Sequence, residues 1–348
     1  MSIKYLKNVP LPTLTTFRLG GIAKEVAILE NETDLVEFFA NLPSGKKWLI
    51  LGGGSNVIFP DGDCDVLIVR YTSNQIKIGK KTDDEVELIS DAGVSWDNLV
   101  EFAVNNGFSG IEALSAIPGC VGSTPIQNVG AYGREIKDTL VSLRAYDYID
   151  KKFVTFTNSE CKFGYRDSIF KHEAKGRYII TSITFLLSLE SPDVPQYPGV
   201  AEYLAKNEIR KASLQDIRKA IISIRASKLP DPKDIASVGS FFKNPIVSKE
   251  KGTQLKNDYP VLAVFPVDET DSTGSPQAKV GAGSLIDTLG WKGKSFGKIS
   301  IYKGNAMVLV NEGGATKAEL MDVVEKIVAE VNNKYKIVLE MEPELIKY

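Results

Sequence analysis

Apolar residues along this chain follow two rhythms, one of period two and one near 3.6, interrupted by glycine-rich gaps. The segment KKWLILGGGSNVIFP (46–60) reads as a buried strand, a glycine loop and a second strand. Further strands are predicted over 65–71 and 85–94. Ser95 is a candidate cap for a helix whose apolar positions Trp96, Leu99, Val100, Ala103 and Val104 precede a stop at Asn106-Gly107. From 107 to 134 the chain is too long and too rich in small residues for a simple connection, which points to a functional loop. Period-two patterning returns over 139–157, a hairpin turning near Asp150-Lys151-Lys152, and over 177–189. A helix over 213–227 opens with a Ser213/Asp216 capping box and lines up Leu214, Ile217, Ile221 and Ile224. KLPDPKD (228–234) breaks regular structure and marks a domain boundary.

Beyond it lies a second region, about 235–336. It closes on a helix from Thr316, boxed by Glu319, with Leu320, Val323, Val324, Ile327, Val328 and Val331 as its stripe. A last strand, KIVLEMEPELIKY, follows. No repeat of fixed period is present, and the irregular mixing of strands and helices reads as α+β rather than alternating βαβ.

Composition narrows the function. With 348 residues, 43% hydrophobic and 25% charged, the chain suits a globular protein of two or three domains. A net charge of −2 without a basic run gives no support for nucleic acid or an anionic membrane as partner. Cys64, Cys120 and Cys161 are odd in number, widely spaced and lack a C-x-x-C pair, which favours a reducing compartment over disulfides or zinc. The N-terminal residues have prolines and charges where a signal peptide needs an apolar run, so a cytoplasmic location is expected. His172, the single histidine, lies in a charged stretch. Proton chemistry is therefore expected from Ser, Tyr, Lys, Arg or carboxylates, or from a cofactor, with no metal.

Five stretches are candidates for that chemistry. In LGGGSNVIF (51–59) the glycines Gly52, Gly53 and Gly54 run into a β-type segment, so this is not a dinucleotide fingerprint opening a helix. It reads equally as a phosphate nest with Ser55 and Asn56 as added donors, or as a hairpin turn. IPGCVGSTPIQNVGAYG (117–133) repeats the logic: Gly119, Gly122, Gly130 and Gly133 allow close backbone approach, and Ser123, Thr124, Gln127 and Asn128 supply hydrogen bonds. Two such loops tip the reading toward a phosphate-bearing ligand. Arg166, after Tyr165 in FGYRDSIFK (163–171), is able to grip a carboxylate or pair with Asp167. In the last strand, alternation puts Glu340, Glu342 and Glu344 on one face, ordinarily a solvated one, and spacing selects none of them. Pro343 suggests a sheet edge. Ser240, in SVGSFFKNP (237–245), is on its own a turn residue.

In order along the chain, TTFRLGG (15–21), LGGGSNVIF, IPGCVGSTPIQNVGAYG, CKFGYRDSIFK (161–171), KLPDP (228–232), GSFFKNP (239–245), GAGSLID (281–287) and EPEL (342–345) resemble the UDP-N-acetylenolpyruvoylglucosamine reductases of the class with GYRDSIFK. The resemblance implies a two-lobed FAD-binding unit of the vanillyl-alcohol oxidase type and a C-terminal α+β substrate domain. The limits expected are 1–70 and 71–229 for the FAD-binding lobes, 230–336 for the substrate domain, and 337–348 for a strand returning to the active site. It also implies an oxidoreductase of peptidoglycan synthesis, and so of cell-wall biogenesis, cell shape and division. On this resemblance, NADPH is expected to reduce FAD and depart as NADP+, after which a hydride from flavin N5 and a proton are expected to convert an enolpyruvyl ether on a UDP-sugar to UDP-N-acetylmuramate.

By motif, Ser240 is implied as proton donor, with Arg166 and Glu344 polarising the enolpyruvyl carboxylate. Tyr165, Tyr197, Lys228, Asn244 and Lys279 are implied in substrate binding. Both glycine loops, with Ala131 and Tyr132, are implied in FAD binding. The sequence indicates no obligate protein partner. Two rivals remain. One is an alcohol or sugar oxidase of the same fold, a type that often binds flavin covalently through histidine or cysteine; His172 lies outside the glycine loops, which disfavours it as the attachment point, while Cys120 lies inside one. The other is a non-catalytic nucleotide-sugar binder.

Overall fold

The computed structural model describes residues 3–270 and 275–348. Before residue 46, where no elements were assigned from sequence, stand strands β1 (Lys4–Pro10) and β2 (Ile22–Leu29) and helix α1 (Glu32–Asn41). Asn31 caps α1, its side chain accepting the Asp34 N–H at 2.9 Å. Strands β3 (Trp48–Ile50), β4 (Val57–Ile58) and β5 (Leu67–Tyr71) follow. A sheet ordered β1-β2-β5-β3 results, antiparallel at β1/β2 and parallel elsewhere. Its two faces are packed by separate apolar clusters, one around Val26, Leu51 and Phe59, the other around Leu35, Phe38 and Leu67.

Next come β6 (Ile76–Lys81), β7 (Glu85–Asp91) and α2 (Trp96–Asn105). All five apolar positions predicted for α2 are buried. Ser95, expected to cap it, forms no side-chain cap bond; its backbone bridges to Cys120 instead. The glycine-rich segment contains the short strands β8 (Gly130–Ala131) and β9 (Arg134–Glu135). The expected hairpin is β10 (Leu140–Asp147) and β11 (Lys152–Thr157), and β12 (Tyr178–Ser188) completes an antiparallel sheet ordered β11-β10-β12-β7-β6. Helices α3 (Pro198–Lys206) and α4 (Leu214–Lys228) pack on each other. The Ser213/Asp216 capping box of α4 forms as expected.

The remaining region holds β13 (Ala236–Ser240), β14 (Ile246–Ser248), α5 (Lys249–Asp258), β15 (Val264–Thr270), β16 (Pro276–Val280), α6 (Ala282–Asp287), β17 (Ser295–Phe296), β18 (Ile299–Ile301), β19 (Val308–Asn311), α7 (Lys317–Tyr335) and β20 (Glu344–Leu345). Its sheets are β13-β19-β18-β17 and β14-β16-β15. Helix α7 carries its Thr316/Glu319 box and buries Leu320, Val323, Val324, Ile327 and Val331 in one core. Phe17, Leu19 and Ile58 from the N-terminal part join that core.

The last segment is not the continuous strand expected. Only Glu344–Leu345 forms a ladder, parallel to β4, with an isolated bridge from Met341 to Phe242. The three glutamates accordingly do not share a face. Glu340 is exposed beside Lys243, whereas Glu342 and Glu344 line an internal cleft.

Candidate active site

The cleft, of about 1770 Å³, lies where the two N-terminal sheets meet the C-terminal region, and all three contribute to its wall. Both glycine loops form part of that wall and touch each other. A Cβ on Gly53 would stand 2.8 Å from the Gly119 Cα, and one on Gly52 would strike Ser123 and Cys120. Gly54, at φ +64°, has the Leu14 carbonyl where a Cβ would go. Glycine is required here because backbone meets backbone. Ser55 Oγ donates to the Pro118 carbonyl (3.1 Å) and Asn56 Nδ2 to Gln127 Oε1 (2.9 Å), so the loops are also tied by hydrogen bonds.

Of the residues expected to hold the cofactor, Gly52, Gly53, Gly54, Ser55, Asn56, Gly119, Gly122, Ser123, Thr124, Gly130 and Ala131 line the cleft. Asn128 is fully buried in the left-handed region, its amide donating to Glu135 (2.8 Å) and to the Gly164 carbonyl (3.0 Å), which makes it a brace for the loop. Tyr132 meets Tyr197 edge-on at 4.9 Å, and Gly133 at φ +81° has open space around it.

The wall is electropositive: among its lining side chains ten are Lys or Arg and five are Asp or Glu. Arg70 lines it with a buried Nε that has no hydrogen-bond partner. Arg225, on the edge of the apolar stripe of α4, donates to the Ala116 carbonyl (3.2 Å), and burial pushes its guanidinium pKa down. Paired glycine loops, an orphaned buried guanidinium N–H and surplus cations fit a ligand carrying a diphosphate, as FAD does. Asp97 braces this side. It accepts Arg218 through both oxygens (2.6 and 3.0 Å) and the Ala116 N–H (2.6 Å). Burial opposes its charge, yet Arg218 and Ala116 together hold the carboxyl below its usual range.

At the other end, Ser240 and Gly239 reach the cleft from β13, with Gly239 at φ +72° and nothing within 4 Å of its would-be Cβ. Arg166 enters from a left-handed turn (φ +55°), donating Nη2–H to the Gly130 carbonyl at 2.6 Å. The carboxylate paired with it is Glu342, at 3.2 Å. Glu344 sits two residues on, past Pro343, where its backbone N–H is fixed to the Asn56 carbonyl (2.9 Å) and its carboxylate meets Lys175 at 2.7 Å. Burial raises the Glu342 pKa against the pull of Arg166. Burial lowers that of nearby Lys171, with Lys243 adding to the effect.

The residues expected to bind substrate fall into two groups. The Asn244 N–H donates to Tyr165 Oη (3.2 Å), and Lys279 Nζ lies 4.1 Å from the Tyr165 ring centroid, held there by the Ile246–Lys279 register of β14 and β16. Burial raises the Tyr165 phenol pKa. Separately, Lys228 Nζ donates to Tyr197 Oη at 3.0 Å. None of the five lines the cavity, but Tyr165 adjoins Arg166 and Lys228 adjoins Leu229, which do. His172 is exposed and within 2.8 Å of Asp167, and the Cys120 thiol faces Ser123 Oγ at 3.1 Å. Among the described residues no group of three or more His, Cys, Asp or Glu is arranged to hold a metal, and no helix is long and apolar enough to cross a membrane.

Sequence reasoning did not select Arg70, Arg225, Lys171 or Lys175. Arg225 left a trace as a charge four residues after Ile221 on the buried side of a helix, and Lys171 as the last residue of FGYRDSIFK.

A family model described as the C-terminal domain of UDP-N-acetylenolpyruvoylglucosamine reductase matches residues 231–346, and one described as an FAD binding domain matches 23–155. The reductase of Flavobacterium johnsoniae is 40% identical over 340 residues, covering 97% of this chain and 98% of its own. The chain belongs to the UDP-N-acetylenolpyruvoylglucosamine reductase family. The family member from Bdellovibrio bacteriovorus is 38% identical over 335 residues, covering 96% of this chain and 97% of its own. The crystal structure of the Thermus caldophilus reductase aligns over the whole of both chains with a TM-score of 0.65 at 22% identity, a likeness of fold. The fold is the FAD-binding unit of the vanillyl-alcohol oxidase type joined to the C-terminal domain of this reductase family.

Proposed function

We propose that this protein reduces UDP-N-acetylenolpyruvoylglucosamine to UDP-N-acetylmuramate for peptidoglycan synthesis, with NADPH as reductant and FAD as cofactor. The observation that carries this reading is one cleft walled by both glycine loops, by Arg166 and by Ser240, in a chain of this family. FAD, when bound, supplies the hydride relay between NADPH and the methylene carbon of the enolpyruvyl group. The two glycine loops, Arg70 and Arg225 hold it.

Adding a hydride to that methylene builds negative charge on the neighbouring carbon and its carboxylate. Arg166 lies in the wall to accept the carboxylate, so its charge does the most as the transition state forms. Ser240 Oγ–H delivers the proton to the carbon beside the carboxylate, completing reduction of the double bond, and solvent entering the cleft restores the serine proton. Glu344, half-exposed and paired with Lys175, faces the same cleft as a second carboxylate able to polarise that end of the substrate. Tyr165, Asn244 and Lys279, with Lys228 and Tyr197, bind the nucleotide-sugar portion, the two lysines taking phosphate charge.

The test is anaerobic. The purified protein is expected to show oxidised-flavin absorption that bleaches with NADPH and returns on adding the enolpyruvyl nucleotide sugar. Bleaching by an alcohol or sugar, with absorption returning on adding oxygen but not the enolpyruvyl nucleotide sugar, would point to the oxidase reading, and absence of flavin would leave only a binding protein.

A further inference from the structure

Glu342 is bonded to the residue after Ser240, to both glycine loops and to Arg166. Its backbone N–H donates to the carbonyl of Phe241, the residue after Ser240, at 2.9 Å. Its backbone carbonyl accepts Asn56 Nδ2 from the first glycine loop at 3.3 Å. Its Oε1 takes Gln127 Nε2 from the second loop at 3.1 Å and Arg166 Nε at 3.2 Å. Gln127 is itself oriented, since its carbonyl oxygen accepts Asn56 Nδ2 at 2.9 Å. The chain Asn56–Gln127–Glu342–Arg166–Gly130 thus crosses from the cofactor loops to the arginine without a gap.

The Glu342 side chain is 15% exposed and that of Arg166 18%, so neither is a surface ion pair free to wander. Glu342 holds Nε, and the Gly130 carbonyl holds Nη2 at 2.6 Å. The guanidinium plane is then fixed by two points, and Nη1 is the nitrogen left for an incoming anion. A guanidinium binds a carboxylate well only when its plane is already aligned with it.

We propose that Glu342 is a positioning residue, one that sets the plane of Arg166 toward the enolpyruvyl carboxylate and ties that plane to the two glycine loops. Its carboxylate has no role toward the substrate itself, which distinguishes it from Glu344. The inference rests on Arg166 being the ligand of the substrate carboxylate.

Two ligands separate positioning from general support: the enolpyruvyl nucleotide sugar, and UDP-N-acetylglucosamine, which lacks the enolpyruvyl carboxylate. Each is titrated into the flavin-loaded protein by the shift in flavin absorbance. Glu342→Gln is expected to weaken the enolpyruvyl ligand about tenfold and UDP-N-acetylglucosamine less than about twofold, with flavin content unchanged. Arg166→Met is expected to weaken the same ligand at least as much, and the double variant no more than Arg166→Met alone. Gln127→Leu, which removes the second bond to Oε1, is expected to show the same selectivity to a smaller degree and stands in should Glu342→Gln not accumulate. Equal weakening of both ligands, loss of flavin, or losses that simply add in the double variant would overturn the proposal. Impaired Arg166→Met beside unimpaired Glu342→Gln removes this inference alone; an unimpaired Arg166→Met removes the reading of Arg166 and this inference with it.

Discussion

Replacing Ser240 by alanine separates catalysis from folding because the structure gives its hydroxyl no other task. Ser240 closes β13 with its backbone paired to Val308, and the next N–H, of Phe241, donates to the Met307 carbonyl at 2.8 Å. Among the described residues its Oγ makes no hydrogen bond to protein. Ser240→Ala therefore keeps every backbone contact and leaves no buried partner stranded, so the stability change should stay within about 0.5 kcal/mol. A positioned general acid contributes roughly 10²–10⁴ in rate, or about 3–5 kcal/mol of barrier. The barrier effect exceeds the folding effect several-fold, and the two do not confuse each other.

The assay is anaerobic stopped-flow with the half-reactions measured apart. Flavin reduction by NADPH needs no proton from Ser240 and should be near wild type, while reoxidation by the enolpyruvyl nucleotide sugar should slow at least about 100-fold. Reoxidation at the wild-type rate would refute the assignment of Ser240 as donor. Slowing of both half-reactions alike would show that the substitution disturbs the cleft and not the proton transfer.

Gly53→Ala should lower the flavin-to-protein ratio, because its Cβ meets the Gly119 backbone at 2.8 Å and forcing the loops apart costs about 1–3 kcal/mol; full flavin occupancy would contradict the loop packing. Asp97→Asn should cost about 1–2 kcal/mol, read by thermal or urea unfolding, since Arg218 keeps a neutral partner in a site one-third open to solvent. The folded Asp97 carboxyl is depressed, so its stabilisation is present above the unfolded value of about 3.9 and fades as pH falls below that. In Asp97→Asn that part of the acid dependence should be missing. Glu344→Gln should slow reoxidation by the nucleotide sugar while sparing flavin content, and an unchanged second half-reaction would remove it from the site.

The legible parts of the fold were those whose evidence is local. Both capping boxes, at Ser213/Asp216 and Thr316/Glu319, form because a side chain three residues away satisfies the helix end. Ser95 failed as a cap because its backbone is committed to Cys120, a partner 25 positions away that no local pattern reveals. The glutamate row shows the same limit. Period two would put Glu340, Glu342 and Glu344 together, but a bridge to Phe242, a proline and a two-residue ladder to β4 break the alternation, leaving Glu340 outside the cleft that Glu342 and Glu344 line. Which glutamate meets Arg166 is decided by those non-local bonds. The glycine loops were legible as loops; that they touch, and so form one wall, depended on tertiary packing.

The two-residue ladder between β20 and β4 also bears on how the protein is made. Asn56 and Glu342 are 286 positions apart, yet they close the same wall. At synthesis rates of roughly 5–20 residues per second, the first glycine loop waits on the order of 15–60 seconds for the segment that braces it. Until then Val57–Ile58 presents an open edge, and Arg166 has no carboxylate beside it. Flavin capture that needs the finished wall is then a late event, following release of the last segment from the ribosome, and a folding intermediate arrested before residue 340 should be colourless.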